Sequence, residues 1–130
     1  MPKNPVSHID LRVESIAKVG PFYHAMLPAI GYTDDHSGDG WIGYYADGKL
    51  PSRAFFGLVE DPDHLVNGTR IAFWAESREA VDRISEVIVK AGAINVEGPM
   101  LNPEYGDQYY AIFFEDPEGN KYEVVHRMDA

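Results

Sequence analysis

The sequence predicts an α+β fold made of two βαβββ modules, at about residues 7–60 and 69–127 of a single 130-residue domain. Three observations predict it. Residues 7–13 (SHIDLRV) alternate, with Ile9, Leu11 and Val13 on one face and His8, Asp10 and Arg12 on the other, as in a strand with one face in a core. Residues 77–90 repeat apolar positions at helical spacing, at Val81, Ile84 and Ile88. The order strand, helix, three strands then occurs twice, a repeat of order rather than of residues.

After the first strand, residues 14–30 read as a helix, with Ile16, Val19, Phe22, Tyr23 and Met26 on one stripe. Gly20-Pro21 is a point where it kinks or where its regular part starts, and Gly31 is a stop. A short strand near Tyr32, one over 41–45 and one over 53–59 follow, separated by the turn sequences HSGDG and ADGKLP. Residues 61–68 (DPDHLVNG) form a polar linker. The second module opens with a strand over 69–75. Its helix has Ser77 as N-cap, Glu79 in the first turn and Gly92 past the end. Strands over 95–97, 109–115 and 121–126 complete it. Asp116-Pro117-Glu118-Gly119 has the composition of a type I turn joining the last two.

Composition narrows the function. The formal charge of −10 opposes phosphate backbones and anionic lipid, so neither nucleic acid nor membrane is an expected partner. The chain has no cysteine, which excludes disulfides, thiolate metal sites and a cysteine nucleophile. No stretch is long and apolar enough for a membrane span, and the N-terminus carries no signal-peptide pattern, so the expected location is cytoplasmic. Phosphate loops, nucleophile elbows and His-Glu-x-x-His helices are absent from the sequence.

Candidate site residues lie on the polar faces of the strands. If both helices cover the aliphatic faces, His8, Asp10 and Arg12 of the first module face away from them, as do Arg70, Ala72 and Trp74 of the other. Glu123, an acidic residue within the last strand, reaches the same kind of surface, and a poor strand former at that position asks for a reason. Imidazole and carboxylate together suit zinc, iron, manganese or nickel, although two ligands alone hold a metal poorly. The other readings of His8 and Glu123 are a hydrogen-bonded histidine and a solvated or ion-paired carboxylate. The loop NPEYGDQYY ends in Tyr109 and Tyr110, which point to opposite faces, so at most one lines a cavity. A phenol there donates a hydrogen bond to an oxyanion or acts as a weak acid.

SHIDLRV in the first strand, PFYHAML in the first helix, RIAFWA opening the second module and YYAIFFEDPEGNKYEVV near the end together resemble the vicinal-oxygen-chelate superfamily. This is the group of glyoxalase I, extradiol dioxygenases and the bleomycin and fosfomycin resistance proteins. The resemblance runs from about Ser7 to Arg127, and D-P-x-G-N followed by a strand Glu is its most specific part. It implies paired modules curling around a ligand, completed by a homodimer. It also implies a divalent metal, with His8 and Glu123 matching two of its ligand positions. Arg70 stands where a second histidine is expected, and a guanidinium has no lone pair for a metal.

The resemblance leaves three readings. One is a lyase, isomerase or dioxygenase using a metal held by His8 and Glu123, with Glu123 and Tyr110 as catalytic groups. Another is a protein that binds a small oxygen-rich or anionic ligand without a metal. In it Arg70 pairs with Glu123 in place of the metal's charge, and Trp41, Trp74, Tyr109 and Tyr110 are candidate walls beside Asp10 and Arg12. The third is a degenerate module serving in oligomerisation or regulation.

Overall fold

The computed structural model describes residues 5–46 and 53–127. Most of the expected turn at ADGKLP, residues 47–51, lies outside them. The chain divides into two compact units, Met1–Leu65 and Val66–Ala130, and each has the βαβββ order.

In the first unit, strand β1 (His8–Val13) leads to helix α1 (Ile16–Ile30), then β2 (Tyr32–Asp35), β3 (Trp41–Ala46) and β4 (Phe55–Glu60). The sheet order is β1-β4-β3-β2, with β1 parallel to β4 and the other pairs antiparallel. Helix α1 starts because the Ser15 side chain accepts the Lys18 N–H, and it stops at Gly31 in a left-handed conformation (φ 114°). It continues through Gly20-Pro21 and Pro28. The alternation of β1 emerges as expected: Ile9 and Leu11 pair with Phe56 and Leu58, both fully buried, while His8, Asp10 and Arg12 are exposed on the other face. The helix contributes Val19, Phe22, Tyr23, Met26 and Leu27 to this core. Asp39-Gly40 forms the expected hairpin end, with Gly38 and Trp41 exchanging both backbone hydrogen bonds at 3.2 and 3.3 Å.

The second unit repeats the plan with β5 (Arg70–Trp74), α2 (Arg78–Ala91), β6 (Ile94–Leu101), β7 (Tyr110–Glu115) and β8 (Lys121–His126), in the sheet order β5-β8-β7-β6. Ser77 caps α2 by accepting the Ala80 N–H at 3.0 Å, and Gly92 (φ 110°) closes it. Val81, Ile84 and Ile88 of α2 join Phe73, Ile112, Phe114, Tyr122 and Val124 of the sheet in the core. Strand β6 is longer than the expected 95–97. It keeps pairing with β7 through two register shifts, one on each side of Glu97, and the glycine and proline inside it hide the alternation that marks a strand.

Gly98 lies in the second of these shifts at φ 98°, and a Cβ there would sit 2.6 Å from the Ala111 carbonyl oxygen. Gly92 has a similar φ but open space around it. Gly92→Ala is therefore expected to cost about 1 kcal/mol of stability, and Gly98→Ala at least about 3 kcal/mol because backbone must move as well. The shift in urea midpoint at unchanged slope measures both; equal losses would contradict the close approach.

Candidate functional site

The register of the second sheet fixes one polar face. Ala72 of β5, Glu123 of β8, Phe113 of β7 and Glu97 of β6 form a row across it, since each pairs with the next. A flanking row runs Arg70, Lys121, Glu115, and another runs Trp74, Val125, Ala111, Met100. The intervening residues Phe73, Ile112, Phe114, Tyr122 and Val124 go to the α2 side, so period-two alternation puts Glu123 away from the helix.

The turn before β8 holds this register. Asp116 is fully buried, and its Oδ1 accepts the backbone N–H groups of Glu118 (2.8 Å) and Asn120 (2.9 Å). Its Oδ2 accepts the Asn120 side-chain amide at 2.8 Å. Gly119 supplies the left-handed residue (φ 96°), and the Asp116 and Asn120 backbones pair at 2.9 Å. A buried carboxylate meeting three donors stabilises one turn geometry, and with it one position for Glu123.

Glu123 is 6 % exposed, and one of its oxygens accepts the hydroxyl of Tyr109. Tyr109 arrives there from the 102–109 loop. The buried Asn102 donates its backbone N–H to the Tyr109 carbonyl at 2.8 Å and its side-chain amide to the Met100 carbonyl at 2.9 Å. Tyr105, at the loop tip, leans its ring on Tyr109 (5.3 Å between centroids) and on Phe113 (6.2 Å). Burial, then the hydrogen bond and charge of Glu123, push the Tyr109 phenol up to about 12.

Of the tyrosine pair, then, Tyr109 meets Glu123. Tyr110 turns to the helix side, where its hydroxyl donates to Asp82 of α2 at 2.6 Å; that bond and burial raise its pKa. Strand alternation carried the answer: Tyr110, Ile112 and Phe114 continue the apolar helix face, and Tyr109, Ala111 and Phe113 the other.

Arg70 corrects an expectation. It makes no ion pair with Glu123 among the described residues. Its Nη1 donates to the Tyr122 carbonyl at 2.7 Å, and its guanidinium carbon lies 5.3 Å from the centroid of Phe113. Register explains this: Arg70 pairs with Lys121, a row away from Glu123, and a backbone acceptor and a ring face lie nearer. Trp74 is 60 % exposed, with the Arg127 guanidinium carbon 4.9 Å from its ring centroid. Beside Arg70 opens a cavity of about 390 Å³, whose lining includes Asn95, Glu97, Glu104, Tyr105 and Phe113.

In the first unit, His8, Asp10 and Arg12 share the non-helix face of β1. The His8 Nδ1 lies 3.3 Å from Ser7 Oγ, and Asp10 and Arg12 form an exposed ion pair at 3.5 Å. Trp41 is half-buried. Its ring and that of Phe55 lie over Gly43, where a Cβ would meet them at 2.4 and 2.7 Å. The sequence does not single out Phe55 and Gly43, because the role of a bare backbone position depends on its cross-strand neighbours. Two further polar groups of this unit carry no sequence signal either. Asp34 sits between Arg53 (2.5 Å) and His36 (3.2 Å), which hold its carboxyl below the usual range. His24 Nδ1 contacts the Tyr44 hydroxyl at 2.5 Å on the helix side, and burial pushes that phenol up to about 12.

The family model for the glyoxalase/bleomycin resistance protein/dioxygenase superfamily matches residues 6–124. The chain belongs to this superfamily. Among solved structures it is similar to a glyoxalase/bleomycin resistance protein from Albidiferax ferrireducens T118 (23 % identity, TM-score 0.76, covering 96 % of this chain and 100 % of that one). It is also similar to a putative glyoxalase from Bacillus halodurans (26 %, TM-score 0.68, covering 93 % and 94 %). A third is the fosfomycin resistance protein FosX from Listeria monocytogenes, in complex with Mn(II) and 1S,2S-dihydroxypropylphosphonic acid (19 %, TM-score 0.67, covering 95 % and 90 %). No curated protein sequence matches the chain.

Members of the superfamily often use a divalent metal, and the side chains here fit one poorly. Among the described residues no three His, Asp or Glu side chains gather in a group able to hold an ion. Arg70 offers donors where a ligand must offer a lone pair, and Glu123 has a phenol as its hydrogen-bonding neighbour.

The Glu123–Tyr109 contact has a pH signature. A phenol whose folded pKa is about 12, against an ordinary 10, favours the folded state while protonated. That contribution is complete below pH 10 and is lost as pH rises through 12. Tyr109→Phe is expected to remove one late step from the ultraviolet titration of phenolate and to flatten the fall in stability over this interval. An unchanged titration curve would show that Tyr109 ionises as an ordinary phenol.

Proposed function

We propose that this chain is a small-molecule-binding member of its superfamily that holds an oxygen-rich ligand on the Glu123 face of the second unit without a metal. The observation that carries this reading is Glu123 itself, a carboxylate 6 % exposed with one oxygen on the Tyr109 hydroxyl and no cation paired to it among the described residues. A carboxylate so placed gains from a further donor, and a ligand hydroxyl supplies one. Phe113 and the exposed rings of Trp74 and Tyr105 offer flat apolar area at small entropic cost. Arg70 uses one N–H on the Tyr122 carbonyl and keeps others for a ligand oxygen. In this reading Glu123 and Tyr109 bind and orient; Tyr110, committed to Asp82, supports the fold.

The metal-dependent alternative, a lyase, isomerase or dioxygenase using His8 and Glu123, rests on family membership and has Arg70 against it. Elemental analysis of protein purified without a nickel column separates the two. The expected result is no stoichiometric iron, zinc, manganese or nickel after incubation with each and desalting. Stoichiometric metal that disappears in His8→Ala and in Glu123→Ala would overturn the metal-free reading. For binding itself, a screen of polyhydroxylated compounds by ligand-observed NMR is expected to yield binders. Glu123→Gln should weaken them about ten-fold or more, as expected for loss of a charge-assisted hydrogen bond.

A further inference from the structure

The hydrogen bond from Tyr109 to Glu123 is made by a residue that the strand ladder does not hold. Pairing of β7 begins one residue later, at Tyr110, between Leu101 and His126. The Tyr109 backbone N–H donates to the Gly106 carbonyl at 3.2 Å, and its carbonyl accepts the Asn102 N–H at 2.8 Å. Those bonds fix where the backbone of Tyr109 lies. The face its side chain takes depends also on its two neighbours, because successive side chains of an extended chain point to opposite faces.

Helix α2 holds both neighbours. The Gln108 side-chain oxygen accepts Arg78 Nη2 at 3.0 Å, and the Tyr110 hydroxyl donates to Asp82 Oδ1 at 2.6 Å, a bond strengthened by the carboxylate charge. Arg78 and Asp82 are four residues apart in α2, so they present these partners from one side of the helix. The Arg78 guanidinium carbon also lies 5.4 Å from the centroid of the Tyr110 ring. None of the four side chains is buried, so core packing does not account for the arrangement. The chain is tied to the α2 side at Gln108 and again at Tyr110. Tyr109, between them, faces the other way, where its hydroxyl meets Glu123.

We propose that Arg78, Asp82, Gln108 and Tyr110 are positioning residues of the Glu123 face: α2 grips the chain on both sides of Tyr109 and so directs its hydroxyl to the carboxylate. Their bearing on ligand binding rests on the reading of that face given above. The site then extends to side chains that touch no ligand, and a change at the exposed Asp82 is felt on the opposite side of the sheet.

The Tyr109 phenol reports its own position without a ligand. Burial, then the hydrogen bond and charge of Glu123, push it up to about 12, and a swing into solvent removes all three. Arg127 and Tyr105 also bear on it and stay unaltered in the variants. The protein is labelled with carbon-13 at tyrosine Cζ, and the Tyr109 signal is assigned by its loss in Tyr109→Phe. In Asp82→Ala with Gln108→Ala, titration is expected to show Tyr109 falling by about one unit or more toward an ordinary phenol. Asp82→Asn removes the same charge but keeps an acceptor for Tyr110, and should hold the wild-type value. Tyr44 of the first unit, also pushed up to about 12, should stay there throughout. Tyr110→Phe with Gln108→Ala removes the donor instead of the acceptor and should repeat the fall; far-UV circular dichroism checks that each variant folds. An unchanged Tyr109 in both double variants would assign its direction to the loop alone and overturn the proposal. So would an equal fall in Asp82→Asn, which traces the effect to charge, or a parallel fall of Tyr44, which traces it to general loosening. Polyol binding that Glu123→Gln leaves unchanged would defeat the binding reading alone, since the titration contains no ligand.

Discussion

The parallel pairing of β5 with β8 is the constraint on which the candidate site depends. It sets Ala72 beside Glu123 and sends Phe73, Tyr122 and Val124 to the opposite side, into the α2 core. A parallel pair needs a long crossover, and the rest of the unit supplies it: a helix, then an antiparallel excursion through β6 and β7 that returns to fill the sheet. The helix face is heavily apolar, so a slip of one residue would bury Glu123 against α2 and expose Tyr122 and Val124. The polar face owes its composition to that penalty. The same logic governs β1 and β4, where Ile9 and Leu11 run beside Phe56 and Leu58 and leave His8, Asp10 and Arg12 outside.

Glu123 is held by two local arrangements of different kinds. Behind it, Asp116 satisfies the turn from within, with three donors on one buried side chain. In front of it, Tyr109 depends on a loop whose backbone closes on itself through Asn102 and Gly106. The first sets where Glu123 stands along the strand. The second sets which donor its carboxylate meets.

Much of the architecture was legible because it rests on periodicity and caps. The alternation of SHIDLRV, the helical spacing of Val81, Ile84 and Ile88, Ser77 with Gly92, and the Asp116 turn all act within a few residues of themselves. Glu123 stood out too, as an acidic residue in a strand and through the family's closing motif, and the structure buries it against the Tyr109 hydroxyl. The side-chain pairings around it were less legible, because they depend on competition between partners far apart in sequence. Charge type alone matched Arg70 to Glu123, yet a carbonyl and a phenyl ring claim the guanidinium. Tyr109 and Tyr110 are adjacent and chemically identical, and only the face to which β7 commits separates them. Strand β6 was underestimated because its register shifts erase the pattern by which strands are recognised.

That irregular strand gives the unit a division of labour. Residues that fix the buried carboxylate belong to regular strands and a self-contained turn, where almost any change is felt in the core. Residues that shape the cavity, Asn95, Glu97 and Met100 among them, sit on an edge strand whose pairing already tolerates displacement. Substitutions along β6 thus change the lining of the cavity while Glu123, on a regular strand, stays in place. The margin of this sheet is free to vary in a way that its centre is not.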